Sequence, residues 1–266
     1  MLAALILGVL QGLTEFLPVS SSGHLVLFQE FLPAPGDEVL FDLVVHLGTL
    51  APVLYFYRKS ILDMLRAPFT EKGGLSERPN TRLILLVILA TIPTGLIGVG
   101  LKDTLEGLFD QPSVLSITFA VTGCLLFATR WARPGERNAA NMAWWMALLI
   151  GLAQGVAIAP GISRSGTTIA VALFLGLNRE FAARFSFLLA IPAILGALLL
   201  KARDAAWDEV EALPLLLGAV AALVSGYVAL VLLVKLVKEG GFDKFAFYVW
   251  LLAALCLVGT FAGWFA

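Results

Sequence analysis

Residues 11–24 read QGLTEFLPVSSSGH, and residues 154–167 read QGVAIAPGISRSGT. Laid together without a gap, Gln11-Gly12 falls on Gln154-Gly155, Ser20 on Ser163, Ser22 on Ser165 and Gly23 on Gly166. Where the first copy carries Glu15, Ser21 and His24, the second carries Ile158, Arg164 and Thr167. One scaffold occurs twice with complementary chemistry. The first copy holds an acid, a run of serines and a histidine, and the second holds the permanent cation.

Outward from the first copy, residues 1–17 are apolar until Gln11, Thr14 and Glu15, Pro18 breaks the helix, and residues 24–32 form another short apolar run. Neither piece reaches the ~20 residues that a helix needs to cross a bilayer. Backbone that leaves helical pairing at membrane depth has to line a protein cavity. The two pieces are therefore expected to dip in and return, with Ser20, Ser21 and Ser22 as natural N-caps of the second. Residues 142–159 and 167–177 repeat the pattern around Pro160-Gly161. Full spans are expected at 39–57, 83–101, 114–129, 181–200, 213–234 and 245–265. Pro93 and Gly95 should bend the second of these.

Composition agrees. Of 266 residues, 59% are hydrophobic and 14% charged, against about 25% charged in soluble domains. No ten-residue alternation of a membrane barrel occurs. The fold class is an all-α polytopic membrane protein with two re-entrant broken-helix pairs plus about six full transmembrane helices. Cys124 and Cys256 lie in apolar runs and read as small packing residues. No Lys or Arg precedes Arg58, so the apolar N-terminus lacks the charged flank of a signal peptide and is expected to stay in the mature chain.

The repeat extends beyond the motif, because Phe41 to Pro52 and Phe181 to Pro192 share a spacing of eleven. Two halves of a single membrane domain follow, about 1–130 and 131–266. Fourteen of the eighteen Lys and Arg fall in the connections 58–82, 130–141, 178–184 and 235–244. By the positive-inside rule these are cytoplasmic, and 58–82 reads as the longest polar loop. The first re-entrant pair then enters from outside and the second from the cytoplasm, which gives an inverted-topology repeat with sites near the midplane. Trp144, Trp145, Trp250 and Trp264 read as interfacial anchors, and Arg130, Arg133 and Arg137 as topology determinants.

Such pairs bring their tips together in the membrane. Each tip leads into a short helix whose N-terminal N–H groups and dipole favour an anion. Arg164 adds a guanidinium able to hold phosphate oxygens bidentately. Hydroxyls come from Ser20, Ser21, Ser22, Ser163, Ser165 and Thr168, with Gln11, Gly23, Gly161 and Gly166 as further phosphate-site candidates. Glu15 turns a binding site toward catalysis: a buried carboxylate beside phosphate must hold a divalent cation, carry a proton or act as a base. His24 can serve as acid or base. A serine nucleophile, a base and a guanidinium are the parts phosphoryl transfer needs. Asp42 and His46, four apart on one helical face, read as an interhelical hydrogen-bonded pair or as support behind the site rather than as catalytic residues. A purely structural Glu15–Arg164 bridge is the bland alternative.

With those residues in view, the chain resembles undecaprenyl-diphosphate phosphatases of the bacitracin-resistance type over essentially its whole length. QGLTE fits that family's [E/Q]-x-x-x-E motif, VSSSGH follows it, and PGISRSGTT fits its Pro-Gly-x-Ser-Arg-Ser motif. The resemblance implies hydrolysis of the C55 polyprenyl diphosphate to the monophosphate, which recycles the carrier for cell-wall synthesis and confers bacitracin resistance. It further implies Mg2+ or Ca2+ dependence, a bacterial cytoplasmic (inner) membrane location and a site open to the extracytoplasmic side. Partners are the lipid substrate and membrane lipids, with a homodimer as a further option and no nucleic acid. Carried over by motif position, Glu15 is the essential acid and the tentative metal residue, Ser21 the candidate nucleophile, His24 the acid/base and Arg164 the phosphate clamp. Gln11 stands where other members carry Glu, so one metal-facing carboxylate is the reading, and serine or water attack both stay open.

A lipid-phosphate transporter or flippase is the rival, because inverted repeats with broken helices also serve transport. The acid-phosphatase-like lipid phosphatases share the Ser-Gly-His element. They also need an upstream Lys-to-Arg-Pro motif and a His after the Ser-Arg element, and this chain has neither.

Overall fold

The computed structural model describes residues 1–109, 111, 113–133, 135–203 and 211–263. The expected anchor Trp264 and the end of the last expected span lie outside them. Helix α1 (Leu2–Phe16) and α2 (Ser21–Gln29) are the short pieces around the first polar interruption. They are followed by α3 (Glu38–Phe56), α4 (Arg58–Thr70), α5 (Pro79–Gly100), α6 (Lys102–Phe109) and α7 (Val114–Ala128). The second short pair is α8 (Trp144–Val156) and α9 (Arg164–Phe174), and α10 (Arg179–Lys201), α11 (Ala212–Glu239) and α12 (Phe245–Ala262) complete the series. Among the described residues, the only extended pairing is a single bridge between Arg137 and Leu177.

Among the described residues, six helical segments are long and apolar enough to cross a membrane: Glu38–Phe56, Pro79–Gly100, Val114–Trp131, Arg179–Lys201, Ala212–Glu239 and Phe242–Ala262. The chain is an all-α, multi-pass membrane protein. The 15 residues of α1 rise only about 22 Å at 1.5 Å per residue, short of the ~30 Å hydrocarbon core.

Lipid tails supply no hydrophobic force between helices, so close approach depends on small residues. Gly8 and Gly12 set α1 against Gly218 and Ala222 of α11, while Gly151 and Gly155 set α8 against Ala90 and Ile97 of α5. The 143-residue offset between the copies carries Gly8 onto Gly151 and Gly12 onto Gly155. The largest core cluster runs from Phe16 and Val19 through Phe119, Met146 and Phe187 to Val249 and Cys256. The broken tips lie beside it.

Three expectations change. The connection 58–82 is not a plain loop, because α4 occupies its first half. Ile61, Leu62, Met64, Leu65 and Phe69 recur at helical spacing between basic residues, and that period outweighs the charge count. Ile61 and Met64 pack on the core while Leu62, Leu65 and Phe69 stay exposed. Trp250 is not a free anchor. Its indole lies over Gly123 and against Phe127, filling a place that only glycine leaves open. Trp144 and Trp145 are exposed, and Arg82 stacks on Trp144. Cys256 is buried as expected of a packing residue, but Cys124 is exposed.

Candidate active site

Helix α1 stops because Pro18 follows. Leu17 is extended at φ −61° and ψ 146°, the conformation a proline imposes on its predecessor. The chain re-enters helix at Ser21, capped by Ser20, whose Oγ accepts from Gly23 N at 3.4 Å. Ser20 sits at φ 67°, the only positive φ outside glycine among the described residues. Such a conformation costs about 1–3 kcal/mol and persists where its surroundings over-determine it. The second tip turns two positions earlier in the alignment, at Gly161 with φ 85°. Ser163 then caps α9 without strain, accepting from Gly166 N at 3.0 Å.

The tips touch. A Cβ on Gly23 would stand 2.8 Å from the backbone of Gly161, and one on Gly166 would stand 3.2 Å from Cβ of Pro18. The 143-residue offset turns one contact into the other, since Pro18 maps to Gly161 and Gly23 to Gly166.

At this junction Glu15 is the hub. Arg164 Nη2 donates to its Oε1 at 2.6 Å across the two tips. Ser21 Oγ donates to Oε2 at 2.5 Å, and Gln11 Nε2 donates to the same oxygen at 3.1 Å. The Glu15 side chain is 6% exposed and that of Arg164 15%. Four expected site residues, Gln11, Glu15, Ser21 and Arg164, are thus one hydrogen-bonded cluster. Two groups in it are buried with no hydrogen-bond partner among the described residues: Gln11 Oε1 and Arg164 Nη1. An acceptor and a cationic donor left open in a dry site point to something that binds there.

The hydroxyls arrange themselves in parallel. Ser20 and Ser22 lie 3.3 Å apart, and their counterparts Ser163 and Ser165 lie 3.4 Å apart. Ser165 also donates to Leu17 O of the other tip at 3.4 Å. Thr168 back-bonds Arg164 O at 2.8 Å and pairs with the hydroxyl of Ser186, so it faces α10.

The two histidines lie on either side of the junction. His24 is fully buried and both ring nitrogens are engaged, Nδ1 with Ser20 O at 2.7 Å and Nε2 with Tyr248 Oη at 2.8 Å. His46 and Asp42 share a face of α3 but do not pair through their side chains. His46 Nδ1 donates to the main-chain oxygen of Asp42 at 2.7 Å, and the Asp42 carboxylate takes Gln29 Nε2 at 3.0 Å instead. Helical geometry aims the i+4 imidazole back at the carbonyl. His46 Nε2 is then directed toward the site, 3.9 Å from Glu15 Oε2.

Sequence reasoning missed Thr122 and Tyr248. Thr122 Oγ1 accepts from Ser163 N at 3.2 Å and donates to Gly161 O at 2.8 Å. Threonine in an apolar helix ordinarily back-bonds its own turn, and Tyr248 sits in an aromatic run, FAFYVW, that reads as an interfacial belt. Neither carried a signal. Thr94, which donates to Gly151 O and accepts from Gln154 Nε2, was equally silent.

Among the described residues, no three His, Cys, Asp or Glu converge as metal ligands. A cation enclosed entirely by protein does not fit. A hard divalent ion that takes one carboxylate and relies on phosphate oxygens for the rest does, given Glu15 and the open Gln11 Oε1 one turn away.

The architecture and site define a polytopic membrane protein whose buried, ion-paired polar cluster joins two broken helices. A family model described as bacitracin resistance protein BacA matches residues 4–255, and the chain belongs to that family. It is 45% identical over 267 residues to a protein from Carboxydothermus hydrogenoformans named undecaprenyl-diphosphatase, covering 98% of both chains. Proteins of the same name from Desulfatibacillum aliphaticivorans and Methanobrevibacter smithii are 44% and 41% identical. The first pairing covers 98% of this chain and 99% of the relative, the second 97% and 96%.

Proposed function

We propose that this chain is a membrane phosphatase that hydrolyses undecaprenyl diphosphate to the monophosphate and inorganic phosphate. The observation that carries the reading is the Ser21–Glu15–Arg164 chain of hydrogen bonds. Ser21 Oγ already donates to a carboxylate whose other oxygen is held by a guanidinium. In the reading we favour, Ser21 Oγ attacks the terminal phosphorus as its proton passes to Glu15 Oε2, and polyprenyl monophosphate leaves. Water then attacks the phosphoseryl group, Ser21 recovers its proton, and phosphate departs. Arg164 Nη1, buried with no hydrogen-bond partner among the described residues, is the donor left for a phosphate oxygen. His24 has no free ring nitrogen, which supports Glu15 as the group that takes the proton.

Mg2+ or Ca2+ is part of the proposal, held by Glu15, Gln11 Oε1 and the phosphates. It would supply positive charge against the diphosphate, the role a bare carboxylate in this site calls for. The inverted repeat, 1–130 on 131–266, draws support from the matched packing of α1 on α11 and α8 on α5. With the charge bias, it suggests a bacterial cytoplasmic membrane protein whose first tip is reached from the extracytoplasmic side. That fits recycling of a cell-wall lipid carrier and the bacitracin resistance that follows from it. A homodimer is also part of this reading, to be checked by mass measurement in detergent. No observation favours transport over hydrolysis.

The test is phosphate release from polyprenyl diphosphate in detergent, with and without a divalent-ion chelator. Full activity in both Glu15→Ala and Arg164→Ala would remove the assignment.

A further inference from the structure

His24 and Tyr248 stand 224 positions apart and share a hydrogen bond of 2.8 Å. The polarity of that bond follows from the other ring nitrogen. His24 Nδ1 faces the main-chain oxygen of Ser20 at 2.7 Å, and a carbonyl only accepts, so the neutral imidazole carries its proton on Nδ1. Nε2 is then an acceptor, and Tyr248 O–H donates to it. The imidazole is further held by rings. Tyr248 stacks on it at 5.8 Å and 11°, and Phe119 of α7 meets it edge-on at 5.6 Å and 79°.

The carbonyl at the end of this chain belongs to Ser20, the strained residue at φ 67°. Ser20 directly precedes Ser21, whose hydroxyl must point at Glu15. Helix α2 packs chiefly on α1, and the His24 ring adds a tie from the turn's own carbonyl to α12. The second tip has a matching device: Thr122 of α7 takes Ser163 N–H and gives its proton to Gly161 O. Helices α7 and α12 pack against each other. Each tip is thus pinned by one member of a single helix pair.

We propose that Tyr248 is a positioning residue for the reaction: through His24 it holds the Ser20 turn and thereby aims Ser21 Oγ at Glu15. This rests on the phosphatase reading for its kinetic readout but not for its spectroscopic one. Tyr248 touches no reacting atom. Its loss moves the nucleophile, not the affinity for the headgroup, which Arg164 and the second tip supply.

Tyr248→Phe keeps the stacked ring and removes only the donor. Its kcat for polyprenyl diphosphate is expected to fall about tenfold, an ordinary effect for one mispositioned hydrogen-bonded group, with KM unchanged and only the modest drop in thermal midpoint that one stranded buried acceptor brings. The chain has two histidines, so ring nitrogens of 15N-histidine-labelled protein are resolvable, and His46→Gln assigns them. The His24 spectrum should show the Nδ1–H tautomer, and its Nε2 resonance should move to the position of an unbonded acceptor in Tyr248→Phe. Tyr248→Leu, which also removes the stack, should lose more kcat than Tyr248→Phe. Ser20→Gly relieves the strain at φ 67°, so Tyr248→Phe should cost less in that background than in the native one.

Wild-type kcat in Tyr248→Phe, or an unmoved Nε2 resonance, overturns the proposal. So does a loss confined to KM, which would mark a binding role, or a Tyr248→Phe cost that Ser20→Gly leaves undiminished, which would mark a purely structural one. A native protein that releases no phosphate would instead overturn the phosphatase reading, while the nitrogen spectra would still decide the His24–Tyr248 bond.

Discussion

Arg164 Nη2 lies 2.6 Å from Glu15 Oε1, joining residues 149 positions apart across the meeting point of two broken helices. Ser21 reaches the other carboxylate oxygen. The pair is therefore both the seam between the tips and the electrostatic centre of the site. A buried ion pair is weak evidence of net stabilisation, but removing one partner strands the other.

Arg164→Ala should leave Glu15 as an unpaired buried carboxylate. A loss of about 3–5 kcal/mol of stability is expected, along with a drop in kcat of about 100- to 1,000-fold from the missing phosphate donor. Arg164→Lys should recover most of the stability and little of the rate, because a point charge cannot serve Glu15 and a phosphate oxygen together. Thermal unfolding in detergent and phosphate release separate the two effects. Equal recovery of both by lysine would contradict this account.

Ser21→Ala should abolish turnover while leaving the Glu15–Arg164 pair in place. If Ser21 is the nucleophile, acid-quenched native protein should carry one phosphoryl group on the peptide containing residue 21, detectable by mass spectrometry. Substantial turnover in Ser21→Ala would assign attack to water held by Glu15.

Thr122→Val is nearly isosteric but strands Ser163 N–H and Gly161 O. It should cost about 1–3 kcal/mol, and Thr122→Ser should restore most of that. The comparison is read from thermal midpoints. Indifference to valine would mean that the second tip holds its shape without α7.

The paired glycines of α8 should differ in tolerance. A Cβ on Gly151 meets the main chain of Ala90, whereas on Gly155 it meets the mobile side chain of Ile97. Gly151→Ala should reduce folded yield and thermal stability far more than Gly155→Ala. Equal effects would argue against close α5–α8 backbone contact.

Glu71 lies outside the spanning helices and ties down the start of α5. Its carboxylate accepts from the N–H groups of Asn80 and Thr81 and from their side chains at 2.9–3.2 Å. Burial alone would raise its pKa, but these bonds outweigh it and hold the carboxyl below the usual range. A depressed folded pKa stabilises above the unfolded value, about 4.3 for Glu, and that contribution disappears as pH falls through the folded value. Glu71→Gln should therefore lower the thermal midpoint at neutral pH, with the gap to the native protein narrowing on acidification below that value. A gap that widens in acid would invert the assignment.

Membrane class, the helical segments and the two polar interruptions were legible because lipid admits so few solutions. Unbroken apolar length marks a span, proline and serine mark where it fails, and an ionisable group inside is conspicuous. The internal repeat pointed further, to Glu15 and Arg164 as parts of one site, because each copy lacked what the other had. What the sequence by itself determined is thus the list of polar residues the membrane must accommodate. It did not determine their partners. His24 and His46 looked like reacting group and support, yet His24 is tied at both nitrogens while His46 Nε2 faces Glu15. Thr122 and Tyr248 looked like ordinary members of apolar helices, and they hold the tips. A hydrogen bond depends on direction and a few tenths of an ångström between distant segments, and only the packing of α7, α12 and the two tips sets those. The chemistry was written in residue types, and its geometry was decided in the tertiary structure.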